Sequence, residues 1–160
     1  MRILGIDPGL AIVGYGIIEY ENDTIILQTS GSIQTDKKKS DAERLLEIYN
    51  DLSFLIEKYN PDFASIEKLF FFRNQRTIIP VAEARGVILM VLHKYSIPFA
   101  EYTPIEVKQV LTGYGRAKKD EVAQRVNLAL TYNPNQTLPN LDDTVDAIAI
   151  AICHTRNIIY

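Results

Sequence analysis

Hydrophobic and polar positions in the first part of the chain follow patterns that predict strands. Residues 2–7 form a short apolar run that ends at Asp7 and is followed by a Pro-Gly turn signal. Residues 12–20 and 24–33 alternate and are rich in Ile, Tyr and Thr, and a polar Glu-Asn-Asp tripeptide separates them. This arrangement is typical of a hairpin. The chain therefore opens with three predicted strands.

The rest of the chain alternates between helical and extended patterns. Apolar residues recur at helical spacing from about residue 41 to residue 59, which predicts an amphipathic helix. The remaining predicted elements follow in chain order: a strand at 63–67, a long apolar helix ending near Tyr95, a strand at 98–102, helices at 104–111 and 118–131, and a last helix from about Leu141. This order predicts one α/β domain over 1–160, with a mixed five-stranded sheet flanked by helices.

Composition indicates an ordinary globular protein. Of the 160 residues, 47% are hydrophobic and 23% are charged. We expect no signal peptide and no contact with a membrane, because the apolar start reaches Asp7 within one strand length and no apolar run could cross a bilayer. A single cysteine excludes an internal disulfide and favours a cytoplasmic protein.

The net charge of −3 argues mildly against a nucleic-acid-binding protein. Basic residues nevertheless gather in two stretches, listed here: Arg73, Arg76 and Arg85, and then Lys108, Arg116, Lys118, Lys119 and Arg125. Lys119 and Arg116 adjoin a glycine-containing loop and are well placed to meet phosphates. The alternative is a solvated helix face balanced by neighbouring acids. A local basic patch on an acidic protein would reconcile DNA binding with the net charge.

Four acidic residues are candidates for one site. Asp7 and Glu67 each end a predicted buried strand, and if those strands are parallel neighbours their ends lie roughly 5 Å apart. Asp143 and Asp146 are three residues apart and share one face of the last helix. The alternatives are structural: Asp7 caps a turn, and Asp142 or Asp143 caps the helix. Taken together, the four acids favour a shared negatively charged pocket.

Such a cluster indicates divalent cations, because unpaired carboxylates at short range repel one another and resist ionisation. Mg²⁺ prefers oxygen ligands and keeps several waters, so a few carboxylates and a substrate phosphate complete its shell. Two ions about 4 Å apart can activate a water and stabilise the leaving oxygen of a phosphodiester. We therefore expect two Mg²⁺ ions per subunit, with Mn²⁺ able to replace them.

Several motifs, in order and over nearly the whole chain, resemble those of the RuvC Holliday junction resolvases. They are Ile3-Leu4-Gly5-Ile6-Asp7-Pro8-Gly9, Gly14-Tyr15-Gly16, Ile66-Glu67-Lys68-Leu69-Phe70, Ala84-Arg85-Gly86-Val87, Val107-Lys108-Gln109, Gly113-x-Gly115-x-Ala117-x-Lys119 and Asp143-x-x-Asp146-Ala147-Ile148-Ala149-Ile150-Ala151. The resemblance implies a ribonuclease H-like fold. It departs at 71–80, where a helix either starts or kinks at Pro80.

Carried over by position, the resemblance assigns catalysis and metal binding to Asp7, Glu67, Asp143 and Asp146, with Asp142 as a substitute if the helix shifts. It matches Lys108 and Lys119 to lysines of the family that support catalysis and hold the DNA backbone. It also matches Phe70 to an aromatic residue of the family that lies near the centre of the junction. The alternative for Phe70 is packing in the core. Together with the basic stretches, this gives the candidate DNA-binding set Phe70, Arg73, Arg76, Lys108, Arg116, Lys118 and Lys119.

The resemblance further implies an endonuclease that resolves four-way junction DNA by symmetric nicking, leaving 5′-phosphate and 3′-hydroxyl ends. It implies a homodimer, which the all-round apolar helix near 81–92 also favours, although a helix buried within a monomer remains the alternative. A branch-migration helicase complex is the implied partner. The rival functions are an actin-like or sugar-kinase ATPase, for which the chain is too short, and a junction-binding module without catalysis.

We assign no chemistry to His93, Cys153 or His154. The first is predicted to lie at the surface and the cysteine to pack in the core. His154 follows Asp146 by two helical turns, which is too far for both to bind one metal ion directly.

Overall fold

A computed structural model describes residues 1–68, 75–131 and 142–157, with side chains for all of these except 75–77, 142 and 143. The strands are β1 (Arg2–Asp7), β2 (Ile12–Glu21), β3 (Thr24–Gln34), β4 (Phe63–Glu67), β5 (Phe99–Tyr102) and β6 (Leu130–Thr131). The helices are α1 (Asp41–Tyr59), α2 (Gln75–Lys94), α3 (Pro104–Thr112), α4 (Lys119–Ala129) and α5 (Asp142–Asn157). None of the helices in these ranges is long and apolar enough to cross a membrane.

The predicted hairpin at the start of the chain is confirmed. β2 and β3 pair antiparallel and are joined by Asn22 and Asp23, which both have positive φ, of 50° and 60°. Two successive positive φ values match a type I′ turn, whose twist suits the flanking strands, and Asn and Asp tolerate this conformation well.

The sheet has the strand order β5-β4-β1-β2-β3-β6, so the prediction of five strands is wrong by one. The predicted helix over 118–131 ends instead at Ala129, and Leu130 adopts an extended conformation and pairs parallel with Ile25 of β3. The physical reason is packing at an open sheet edge. Leu130 is buried in the same cluster as Ile25, and its strand β6 pairs with the edge of β3 that faces away from β2.

The helix that contains Pro80 begins earlier than one of the two sequence alternatives supposed. α2 starts at Gln75 and Pro80 lies inside it, so a start at Pro80 is wrong. Proline at this sixth helical position removes one backbone hydrogen bond and crowds the carbonyl four residues earlier, a cost that the packing of the following apolar turns can offset. Arg85 of this helix bonds Glu101 of β5 and is therefore engaged in an ion pair rather than in the basic patch.

Helices cover both faces of the sheet, and alternation along β1 shows which residues face each layer. Leu4 and Ile6 pack in the cluster with α1 and α2. Ile3 packs in the other cluster, with α3, α4 and α5. Because side chains along a strand alternate between faces, Asp7 at the end of β1 shares the α5 face with Ile3.

α5 approaches the sheet unusually closely, and two strand glycines make this possible. A Cβ at Gly5 of β1 would lie 2.0 Å from the backbone oxygen of Ala147, and one at Gly16 of β2 would lie 2.6 Å from the Ile148 side chain. The helix contributes the small residues Ala147 and Ala151 at the contact with Gly5. This close packing fixes the distance between α5 and the strand that carries Asp7.

The far end of α5 is held by His154, which is buried. Its ring stacks on Phe63 of β4, with centroids 3.9 Å apart, and its Nδ1 shares a 2.7 Å hydrogen bond with the hydroxyl of Tyr102. Burial lowers the pKa of His154 below its usual 6.5. The neighbouring Cys153 packs in the core as expected, and burial raises the pKa of its thiol to about 12. His93 is exposed, also as expected.

We predict that His154 makes the stability of the protein depend on pH. A depressed folded-state pKa means that the unfolded chain binds more protons below pH 6.5, so the free energy of unfolding falls as the pH falls. His154→Phe, which keeps a stacked ring, should reduce this slope between about pH 7.5 and 5.5 in denaturant titrations. His93→Gln, at an exposed position, is the matched control for the loss of one imidazole, and the slope of His154→Phe is compared with it. An unchanged slope in His154→Phe would contradict the assignment.

Candidate active site

Two carboxyl groups meet at the end of the paired strands β1 and β4. The strands run parallel, with Ile6 opposite Ile66, so Asp7 and Glu67 follow side by side. The predicted parallel neighbours are therefore confirmed. Ala64 and Ile66 face the α1 layer, so alternation turns Glu67, like Asp7, toward α5. The two carboxyl groups share a hydrogen bond.

Glu67 is a carboxyl group whose surroundings oppose ionisation. Burial is the main cause of its raised pKa, and the negative charge of Asp146 adds to the shift. The hydrogen bond from Asp7 and the positive charges of Lys119 and Lys108 act in the opposite direction without cancelling it. A divalent cation beside Glu67 would favour its ionised form.

α5 brings a third acid to the same place. Asp146 lies one residue before Ala147, whose backbone contacts Gly5, so the close helix–sheet contact positions it beside the strand ends. Its Oδ2 lies 3.5 Å from Nζ of Lys119, at the first residue of α4. Residue 143 is one turn earlier in the same helix. Asp7 and Asp146 thus both lie near Glu67, while the Asp143 side chain lies outside the described residues, and the shared site of four acids stays a prediction.

A cavity of about 170 Å³ opens beside these acids. Charged groups form one part of its wall: Glu67, Asp146, Lys108 and Lys119. Apolar residues form the rest: Pro104, Val107, Val122, Ala149 and Ile150. Its composition pairs two cationic groups with the acids, which suits a phosphate held next to a carboxylate cluster. The two lysines come from α3 and α4, which are distant from Glu67 in the sequence.

Lys108 reaches the cavity because α3 begins directly after β5. Thr103 caps the helix and accepts from the N–H of Glu106, whose side chain bonds the Thr103 N–H in return. Pro104 occupies the first turn, where its missing N–H costs nothing. This start, at the same sheet edge as Glu67, places Lys108 one helical turn further on, in the cavity wall.

The carboxylates fit a divalent cation by their chemistry. Their ligand atoms are all oxygens, which Mg²⁺ prefers, and the pKa of Glu67 is raised first by burial and then by the nearby charge of Asp146. Among the described side chains, no three Asp, Glu, His or Cys are close enough to hold an ion by themselves. Asp143 is not among those side chains. Asp7, Glu67, Asp143 and Asp146 therefore stay predicted metal ligands, and the described side chains of Asp7, Glu67 and Asp146 do not complete such a site without Asp143.

The candidate DNA contacts are placed unevenly. Lys108 and Lys119 line the cavity, and Arg116 and Lys118 are exposed in the segment between them. Phe70 and Arg73 lie outside the described residues, and Arg76 belongs to the first turn of α2 without a described side chain. The structure thus brings Lys108 and Lys119, from the second predicted basic stretch, to the acids.

The profile of the family described as crossover junction endodeoxyribonuclease RuvC matches residues 3–154. The chain belongs to the RuvC family. The matched span includes all four candidate acids and both lysines of the cavity.

RuvC proteins of other bacteria resemble the chain over nearly its full length. The crossover junction endodeoxyribonuclease RuvC of Prochlorococcus marinus subsp. pastoris is 50% identical over 153 residues, which cover 95% of this chain and 94% of that protein. The RuvC of Fusobacterium nucleatum subsp. nucleatum is 43% identical over 158 residues, covering 99% and 82%. RuvC is thus the family at the level of the whole chain.

Solved RuvC structures share the fold. Thermus thermophilus RuvC superposes with a TM-score of 0.90 at 28% identity, covering 99% of this chain and 96% of that one. T. thermophilus RuvC in complex with Holliday junction substrate also gives a TM-score of 0.90 at 28% identity, covering 99% and 94%. The expected ribonuclease H-like α/β class is confirmed, with six strands instead of five.

Proposed function

We propose that this RuvC-family chain is a structure-selective endonuclease that resolves Holliday junctions in DNA recombination and repair. It nicks two symmetrically related strands with the help of divalent metal ions and leaves 5′-phosphate and 3′-hydroxyl ends. The observation that carries the proposal is the meeting of Asp7, Glu67 and Asp146 beside two lysines, in a chain of the crossover junction endodeoxyribonuclease family. The same site gives no support to an ATPase, because its cavity of about 170 Å³ offers little room for a nucleotide.

The proposed metal ligands are Asp7, Glu67, Asp143 and Asp146, with two Mg²⁺ ions per subunit and Mn²⁺ as a replacement. Bound there, the ions supply activation of a water molecule and stabilisation of the leaving 3′ oxygen. The carboxylates of the chain supply the negative charge that holds such ions. These carboxylates are held by rigid elements, because Asp7 and Glu67 end paired strands and Asp146 lies on a helix packed tightly against those strands.

The two lysines of the cavity are proposed to hold the scissile phosphate. Lys119 lies against Asp146 and Lys108 faces Glu67 across the cavity, so both place positive charge beside the acids. Each offers three N–H donors on a flexible stem, which suits phosphate oxygens. The apolar part of the wall, formed partly by Val107 and Val122, excludes water from one side of the reacting phosphate.

Four-way junction DNA is the proposed substrate. The T. thermophilus relative has been crystallised with Holliday junction substrate. In this chain the exposed Arg116 and Lys118 extend the row of cations that begins at the cavity. Phe70, Arg73 and Arg76 are proposed to contact the junction from the segment after β4. Phe70 is proposed to stack on an unpaired base at the junction centre, while the arginines and lysines contact the phosphate backbone and supply affinity without reading sequence.

We propose a homodimer that pairs through the surface of α1 and α2. An apolar groove runs between these helices, lined by Leu45, Leu46, Tyr49 and Val87 and by Met90, which is 55% exposed. A two-fold dimer presents one site to each of two opposed junction strands, which accounts for symmetric nicking. Light scattering should therefore report twice the chain mass of 18.1 kDa.

The branch-migration helicase complex is the proposed partner of the protein. The cytoplasm, which the lone cysteine favours, is the proposed compartment.

A cleavage assay on synthetic DNA tests the proposed function. Four-way and linear duplexes of the same arm sequences are incubated with the protein and either Mg²⁺ or EDTA. We expect paired nicks in the four-way substrate with Mg²⁺ only, and products that DNA ligase seals directly because they carry 5′-phosphate and 3′-hydroxyl ends. Equal cutting of linear DNA, or cutting in EDTA, would contradict the proposal. A parallel ATPase assay should give no turnover.

Lys119→Ala should reduce junction cleavage and also reduce the salt dependence of binding. Removing one phosphate contact lowers the slope of log K against log salt by about one. Junction affinity measured at several salt concentrations gives this slope directly. Lys58→Ala is the matched control, because Lys58 ends α1 near the start of β4, at the edge opposite the acids. If both variants had the parent slope, Lys119 would be excluded from the phosphate contacts.

A further inference from the structure

We propose that Tyr114 is a stacking residue for a base of the junction strand close to the cut. The inference deepens the proposed function and rests on it. Tyr114 lies in the loop 113–118 between α3 and α4 and is 58% exposed. The sequence motif around it, Gly113-Tyr114-Gly115-Arg116, places a large aromatic residue between two glycines, next to an arginine. The motif alone assigns the tyrosine no role.

The loop that carries Tyr114 is held in one conformation by hydrogen bonds. The Thr112 hydroxyl lies 2.8 Å from the Lys108 carbonyl oxygen and accepts from the Tyr114 N–H at 3.1 Å. The Tyr114 carbonyl oxygen accepts from the Ala117 N–H at 3.1 Å. The exposed ring therefore projects from a fixed backbone, which lowers the entropy lost when it binds a ligand.

The two glycines allow this backbone path. Gly113 has a φ of 79°, in the left-handed region that other residues adopt at a cost, and it ends α3. Gly115 lies against α3, where a Cβ would come within 2.9 Å of the Ile105 side chain. The loop is thus folded back on the helix, and its aromatic side chain remains at the surface.

Both ends of the loop belong to the candidate active site. The α3 end is anchored on the carbonyl of Lys108, and the other end leads into Lys119, so each end is next to a lysine that lines the cavity. Thr112 lies one helical turn beyond Lys108, about 6 Å along the axis. Phosphates of one strand rise by about 3.4 Å per nucleotide along the axis of a stacked duplex and are spaced more widely where the strand is unstacked, so a phosphate at Lys108 leaves Tyr114 within reach of a base only a few nucleotides away.

The chemistry around Tyr114 fits single-stranded or distorted DNA. Arg116 and Lys118 are exposed on the same loop and can follow the phosphate backbone. An aromatic side chain among cations is the combination by which proteins hold unpaired bases, and it tolerates different base sequences because every base has a stacking face. Strands near the centre of a four-way junction offer such bases when they are unstacked.

Photocrosslinking tests the proposal. Junctions carry 5-iododeoxyuridine at one position at a time, from one to five nucleotides on each side of the cut, and are irradiated with the protein in EDTA. We expect a crosslink that mass spectrometry maps to Tyr114 at one or two neighbouring positions. Tyr114→Phe should keep the crosslink at residue 114 and the junction affinity. Tyr114→Ala should lose the crosslink and bind the junction about ten-fold more weakly, the scale of one stacked base.

The controls separate stacking from other effects. Phe99→Ala removes a ring that is 41% exposed at the start of β5, the end of the strand away from Glu67, and should change neither crosslink nor affinity. Parent crosslinking and affinity in Tyr114→Ala would overturn the inference, and so would a loss of affinity in Tyr114→Phe, which would indicate a hydrogen bond from the hydroxyl. A parent protein that cuts four-way DNA while Tyr114→Ala is unchanged refutes the inference alone. A parent that cuts no four-way DNA refutes the proposed function.

Discussion

Asp7→Asn should abolish junction cleavage while leaving junction binding intact. Asp7 shares a hydrogen bond with Glu67 at the paired strand ends, and the amide is close to the carboxyl in size and can still form that bond. It does not supply the negative charge that a divalent cation needs. We expect single-turnover cleavage to fall by roughly a thousand-fold or more, the scale seen when a principal catalytic group is removed.

Binding and cleavage must be measured separately to test this. Junction affinity is obtained by gel shift in EDTA, where it depends on backbone contacts, and cleavage is followed with saturating Mg²⁺. Asp51→Asn is the matched control, because Asp51 is an exposed acid on α1 and the substitution is chemically the same. Parent cleavage by Asp7→Asn would remove Asp7 from the catalytic set. Lost binding in the same variant would show that its role is structural.

Gly5→Ala should destabilise the protein more than any other substitution considered for its fold. The new methyl group would lie 2.0 Å from the backbone oxygen of Ala147, so α5 would have to move away from the sheet. Overpacking against backbone costs about 3 kcal/mol or more. For a chain of this length that lowers the melting temperature by roughly 6–12 °C. Asp146 lies on α5 and would move with it, so cleavage by the folded fraction should fall as well.

Thermal unfolding and single-turnover cleavage at a temperature where the variant is folded measure the two effects. Gly86→Ala is the matched control, since no atom lies within 4 Å of a Cβ at this helical position. It should leave the melting temperature unchanged or raise it slightly, because alanine favours a helix over glycine. Equal melting temperatures for Gly5→Ala and the parent would contradict the close packing of α5 on β1.

Periodicity in the sequence was sufficient for the elements whose partners are local. The hairpin of β2 and β3 follows from alternation and a polar turn, and α1 follows from the helical spacing of its apolar residues. The parallel pairing of β1 with β4 was expected from two apolar runs that each end in an acid, and the register Ile6 to Ile66 confirms it.

Features that depend on distant partners were not accessible in the same way. Leu130 continues a helical pattern, and only its pairing with Ile25 turns it into a strand. The proximity of Lys108 to Glu67 depends on where α3 leaves the sheet edge, which sequence spacing does not specify. Arg85 belongs to a predicted basic stretch, yet in the structure it forms an ion pair with Glu101 of β5. In each case the deciding group comes from another element of the fold.

The burial of Cys153 has a practical use for studying this protein. It is the chain's single cysteine, it packs inside α5, and burial raises the pKa of its thiol to about 12, so almost none of it is the reactive thiolate near neutral pH. A new cysteine at a surface position such as Phe54 would therefore react alone with maleimide dyes in the natural background. Fluorescence energy transfer from such a label to a dye on each DNA arm would then follow the opening of the bound junction in solution.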